Sequence, residues 1–191
     1  MVRPMLRAAR RLLARSRPIR ARFGRDRSGV SAVEFAIILP IMVLLFFGSV
    51  ELTDALTVKR KVTHVASTLS DLVAQSKTLS AGEIDDILAA AAAIITPYSD
   101  SKLKIKLTGV TVDSKKKATV SWSRTKNDTA YAKGASFTLP TDILEASTFI
   151  VVGEVKFNYA PLVGYVLTGS FDLNDKFYLR PRLGKDVQFT G

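Results

Sequence analysis

Cysteine is absent from the 191 residues, and histidine occurs once, as His64. The first absence removes thiol nucleophiles, thiolate metal sites and disulfides, so any folded part of the chain depends on its apolar core alone. The second leaves His64 without a companion for a two-histidine metal site, and on a predicted helix it reads as a solvated surface residue. No Gly-rich phosphate loop, nucleophile elbow or metalloprotease signature is present. Asp85 and Asp86 are adjacent, and adjacent helix positions do not converge, so they read as charges at a helix start rather than a catalytic pair. These gaps argue against an enzyme. They also leave no residues that call for a metal, a cofactor or a small-molecule substrate.

Acidic residues are scarce in one place only. The first 27 positions hold ten arginines and a single acid, Asp26, whereas residues 28–191 carry 18 basic and 16 acidic residues and are close to neutral. The net charge of +11 therefore belongs to the leader. A basic DNA-binding arm is one reading of such a block. The residues that follow favour another, because Val30 to Val50 is apolar throughout except for Glu34. At about 1.5 Å per residue this stretch spans roughly the 30 Å of a bilayer core. Arginines directly before a membrane helix hold the N-terminus in the cytoplasm and send the remainder across.

Three targeting readings compete for the N-terminus. A secretory signal needs a short apolar core and a small-x-small cleavage site, which Gly48-Ser49-Val50-Glu51-Leu52 matches poorly. A mitochondrial presequence is Arg- and Ser-rich and poor in acids, which residues 1–25 satisfy by composition. The third reading rests on a glycine, Gly29, five positions before the carboxylate of Glu34, with Phe35 beside it and an apolar run beyond.

This spacing resembles the prepilin processing pattern of Flp pilins and their pseudopilin relatives. The stretch Arg25-Asp26-Arg27-Ser28-Gly29-Val30-Ser31-Ala32-Val33-Glu34-Phe35-Ala36-Ile37-Ile38-Leu39-Pro40 is similar to the N-terminal segment of TadE/TadG-family pilus assembly proteins. Phe177-Tyr178-Leu179-Arg180-Pro181-Arg182 is a fainter echo of an aromatic-rich segment near their C-termini. Residues 77–191 are too few for the von Willebrand-type domain of the longer TadG members, so TadE is the nearer comparison. The resemblance implies that a membrane prepilin peptidase cuts between Gly29 and Val30 and leaves the apolar helix in the product. It further implies that Glu34 and Phe35 help present that bond, and that Glu34 later pairs with the amino terminus of a neighbouring subunit.

Read from its environment alone, Glu34 has a plainer account. A carboxylate inside an apolar segment costs up to a few kcal/mol at the bilayer centre but less near the interface. Five residues into the helix it can snorkel or serve the positive helix N-terminus. Pro40 removes one amide donor and is expected to kink or loosen the helix in its first third. Gly48 and Ser49 offer a small patch for a neighbouring helix.

Beyond the apolar stretch the helical period continues through Val58, Val62, Val65, Leu69 and Leu72, which mark one buried face. Residues 31–75 then form one helix of about 68 Å. Ser80-Ala81-Gly82-Glu83 has capping-box spacing and starts a second helix, whose inner face is Ile84, Ile87, Leu88, Ala91 and Ile95 and which ends at Thr96-Pro97. After Pro97 the period becomes two. Leu103, Ile105 and Leu107 alternate with lysines and continue to Val110 and Val112, and Ala118, Val120 and Trp122 return after a turn at 113–116, which makes an antiparallel hairpin. Further strands are expected over 149–159 and 176–179. Residues 124–147 lack a pattern, apart from a short helix start at Leu139-Pro140-Thr141-Asp142. Lys102, Lys104, Lys106 and Lys115 to Lys117 form a basic surface, read first as protection of an exposed strand edge and second as a site for an acidic partner. No interleaved aromatics support nucleic-acid binding.

The expected class is α+β: a long N-terminal helix, a second helix and a small antiparallel sheet. The expected divisions are a leader at 1–29, a membrane helix at 30–50, a helical extension at 51–76 and a periplasmic domain at 77–191. On the resemblance, the chain is a TadE-like pseudopilin or minor pilin that acts without catalysis in assembly of an Flp-type pilus. It would lie in a bacterial inner membrane, with the prepilin peptidase and other Tad assembly proteins or pilins as partners. The competing reading is an uncleaved, signal-anchored adaptor of an envelope or secretion complex.

Overall fold

The structure is a computed structural model, and it describes residues 28–161, 164, 166 and 168–190. The arginine leader up to residue 27 lies outside the described residues. The class is α+β, with two helices and a small antiparallel sheet. The first helix, α1, runs Ser28–Ala74 with Pro40 inside it. It contributes to two units that divide between Phe47 and Gly48.

In the first unit the apolar side chains from Val30 to Phe46 are exposed by 42–67% and lie on every face of the helix. A helix that is apolar all round has nothing to gain from water. This one is long and apolar enough to cross a membrane.

The second unit holds β1 (Thr78–Ser80), α2 (Ala81–Ala93), β2 (Leu103–Val112), β3 (Ala118–Lys126), β4 (Thr148–Tyr159), β5 (Phe171–Leu179) and β6 (Gln188–Thr190). The main sheet has the order β3-β2-β4-β5 and is antiparallel throughout. Its inner face carries Leu103, Ile105 and Leu107 of β2 and Val151, Val155, Phe157 and Tyr159 of β4, all buried in one cluster with α1 and α2. Val58, Val62, Val65 and Leu69 of α1 are fully buried in that cluster. The seam then continues to Val73, while Leu72 is 40% exposed. A step of four in place of three keeps the stripe on the sheet side at that end.

Gly153 of β4 sits where α1 comes closest. A Cβ built there would lie 2.2 Å from the Ser70 hydroxyl and 3.1 Å from the Ala66 carbonyl oxygen. Polar side chains flank this contact and tie α1 to its neighbours. Lys59 bonds Asp175 at 3.1 Å and Thr63 donates to the same carboxylate. Lys61 donates to the carbonyls of Ile94 and Thr96 at the C-terminal end of α2, where a cation meets the negative helix end. The Arg182 side chain bonds Asp71, and its backbone N–H donates to Ala74 O at 2.7 Å, satisfying a carbonyl at the end of α1. The Ser80–Glu83 capping box is formed in full.

Four features depart from the sequence reading. The β2 pattern has two buried faces, because Val110 and Val112 belong to a second apolar cluster with Ala118, Ile150, Val152 and Leu139 on the outer side of the sheet. Leu139 and Phe137, from the segment without a pattern, cover that cluster, and residues 134–137 bond along the outer edge of β3. Lys104 and Lys106 lie on a central strand, so they guard no edge; Lys106 instead pairs with Asp128 at 3.4 Å and lies over the Tyr131 ring. Lys102 precedes the strand, in the turn Asp100–Lys102. Finally, β5 starts at Phe171 rather than 176, and β1 and β6 form a parallel pair that three-residue strands do not announce in sequence.

Gly153→Ala is expected to destabilise the protein by about 1–3 kcal/mol, the usual range for overpacking. In a Ser70→Ala background the cost should fall, giving a coupling of roughly 0.5 kcal/mol or more in a double-mutant cycle. Denaturation in detergent, followed by the fluorescence of the single tryptophan, Trp122, measures both.

Candidate functional site

Gly29, Val30, Glu34 and Phe35 lie together at the N-terminal end of the described helix, all exposed. Nothing stands within 4 Å of a Cβ placed on Gly29. Val30 and Glu34 are four residues apart and therefore share one helix face. Glycine has the weakest helix preference of any residue but proline, so local unwinding costs least at Gly29. Pro40 follows within the same helix.

A second group of polar residues, which the sequence reading did not single out, lies farther along α1. Asp54 accepts hydrogen bonds from two phenols: Tyr98 after α2, and Tyr159 at the end of β4, the latter at 2.7 Å. Glu51, one turn earlier, is only 3% exposed and accepts the Val166 backbone N–H at 3.1 Å. Two carboxylates thus meet donors from three separate segments just where the apolar stretch ends. Burial, reinforced by the Asp54 carboxylate, pushes the Tyr98 phenol up to about 12 and raises Tyr159 as well. Their spacing in sequence hid this group, since Asp54, Tyr98 and Tyr159 come from three distant elements.

The other polar residues form supporting contacts. His64 is exposed and lies 3.3 Å from the Thr68 hydroxyl. Asp85 and Asp86 are exposed in the first half of α2. On the outer sheet face Lys176 pairs with Glu154 at 2.5 Å and Lys156 with Asp172 at 2.8 Å. A groove of about 740 Å³ runs between β3 and β6, where Trp122 Nε1 donates to Val187 O at 2.8 Å and Arg124 stacks on Phe189. Among the described residues no three His, Asp or Glu side chains converge on a metal position.

Residues 29–69 match the sequence model of the family described as TadE-like protein. Gly29–Leu69 is a TadE-like segment. It begins at the glycine of the processing pattern, takes in the apolar stretch and ends within the valine seam. The match points to a Tad pilus-related function. Among curated proteins none matches this chain, and none does among solved structures. The TadE-like segment therefore ends before α2 and the sheet, which here serve to bury the second half of the same helix.

The phenol cluster makes stability sensitive to high pH. Folding raises the Tyr98 phenol above its ordinary value of 10.0, so the folded state holds that proton more tightly than the unfolded chain. The resulting stability is complete below about pH 10 and is lost as pH rises towards 12. Denaturation midpoints between pH 8 and 12 should fall across that window, and Tyr98→Phe with Tyr159→Phe should flatten the fall.

Proposed function

We propose that this chain is a TadE-like pseudopilin or minor pilin that assists assembly of an Flp-type pilus without catalysing a reaction. The observation that carries this reading is the coincidence of the TadE-like match with Gly29 at one end and with an all-round exposed apolar helix after it. Residues 30–50 serve as the membrane span of an inner-membrane protein. The arginine leader stays cytoplasmic by its charge and residues 77–191 lie in the periplasm. Prepilin peptidase removes the leader between Gly29 and Val30, with Glu34 and Phe35 presenting the bond.

Cleavage leaves the helix intact as the part that meets other pilins or Tad assembly proteins. A new α-amino group then stands at Val30, one turn from Glu34. In a low-dielectric setting an uncompensated carboxylate is costly, so pairing Glu34 with the amino terminus of a neighbouring subunit selects one axial register. Pro40 loosens the helix a short way beyond and lets neighbours satisfy the freed carbonyl.

Intact mass of the native protein tests the processing step. A chain beginning at Val30 is expected, and a full-length chain from piliated cells with an active peptidase would instead favour the uncleaved adaptor. Glu34→Ala separates the two roles of the carboxylate. Normal processing and insertion with loss of pili is the expected outcome for a role in assembly, whereas normal piliation would exclude subunit pairing through Glu34.

A further inference from the structure

The connection between β4 and β5 has an unusual composition. Residues 160–170 read Ala-Pro-Leu-Val-Gly-Tyr-Val-Leu-Thr-Gly-Ser and contain no charge. Connections run over the surface of a domain and are ordinarily polar, so an uncharged, largely apolar one marks a contact with something other than water. Its position identifies the contact. Val166 is 43% exposed, yet its N–H is held by Glu51 at 3.1 Å and its Cγ2 lies 3.3 Å from where a Cβ on Gly48 would stand. Gly48 and Glu51 belong to the helical turn at which the apolar stretch ends.

Other exposed apolar residues gather at the same place. Within residues 48–191 the described large apolar side chains that remain exposed are Val50, Leu52, Leu56, Leu72, Tyr131, Val166 and Leu183. Four of these seven, Val50, Leu52, Leu56 and Val166, lie on α1 just after the apolar stretch or on the β4–β5 connection. Glu51, the one acid among them, is buried and turned to the Val166 N–H, so its charge is not presented outward.

We infer that the β4–β5 connection is a second membrane contact, an apolar foot that rests in the interfacial layer of the bilayer beside the helix. The inference rests on the reading of residues 30–50 as a membrane span. Lipid is the occupant because the patch continues a helix surface that is apolar on all sides. A lone span anchors a domain at one point, and a second contact restrains its tilt on the lipid surface. The attraction is apolar, so it does not depend on anionic headgroups.

The absence of native cysteine allows single labels in the full-length protein. Val43→Cys, Val166→Cys and Lys115→Cys are each labelled with an environment-sensitive fluorophore and reconstituted in phosphatidylcholine vesicles, with iodide in water or nitroxide on the lipid as quencher. Lys115 lies in the turn after Val112, at the opposite end of the sheet from Tyr159. The Val166 label is expected to be shielded from iodide and quenched by shallow lipid nitroxides, as for a group about 5–10 Å into the headgroup and acyl boundary. The Lys115 label should show the reverse. Thr168→Cys repeats the measurement if Val166→Cys does not fold.

A Val166 label that behaves like Lys115, while Val43 is quenched by lipid, overturns the foot and leaves the span standing. Shielding of Val166 from both quenchers means that protein covers it and also overturns the proposal. So does lipid quenching that requires added anionic lipid. A Val43 label outside the lipid removes the span and the foot together.

Discussion

The close seating of α1 on the inner face of the sheet is the contact on which the rest of residues 48–191 depends. Valine is a modest helix former because its branched Cβ restricts χ1, yet Val58, Val62, Val65 and Val73 all lie on this helix and all are fully buried. Packing, not propensity, holds that part helical. Gly153 makes the approach close enough, since the space a side chain would need there is filled by Ser70 and the Ala66 carbonyl. Around the apolar seam, Lys59, Lys61, Thr63 and Asp71 each meet a partner on β5, on the end of α2 or at Arg182. The helix is thus fixed in rotation as well as position.

The same helix serves two solvents. Its first part exposes apolar side chains on every side, whereas its second part hides a narrow valine stripe beneath α2 and the sheet. Polar groups are concentrated between the two. Glu51 and Asp54 are neutralised by hydrogen bonds from Val166, Tyr98 and Tyr159, so the point where the surroundings change leaves few bare charges. The TadE-like match covers the apolar part and most of the stripe. The segment Phe177–Arg182, which resembles the C-terminal part of such proteins, ends in the arginine that bonds Asp71 and the Ala74 carbonyl.

Elements with a strong local signal were legible. The Ser80–Glu83 capping box, the β2–β3 hairpin and the valine seam each rest on spacing that physical chemistry reads over a few residues. Leu72 was misplaced because a seam of alternating threes and fours drifts around the helix, and only the sheet decides which step it takes. Lys104 and Lys106 were read as edge guards because alternation reveals which face a strand buries but not which neighbours it has. The outer cluster escaped notice for a related reason. Phe137 and Leu139 sit among loop residues, and their burial depends on a segment folding back over Val110 and Ile150.

From the sequence alone came everything governed by local composition: the basic leader, the apolar stretch that follows Gly29, the helix starts, the change of period after Pro97 and the α+β class. Tertiary structure alone decided what meets across distance. It brought Asp54 to Tyr98 and Tyr159, set Glu51 against Val166, chose Val73 over Leu72 and gave the sheet a second core. The physical reason is range. Periodicity and capping act within one or two helical turns, while these contacts join residues up to 115 positions apart, and their register exists only once α1 has settled against Gly153.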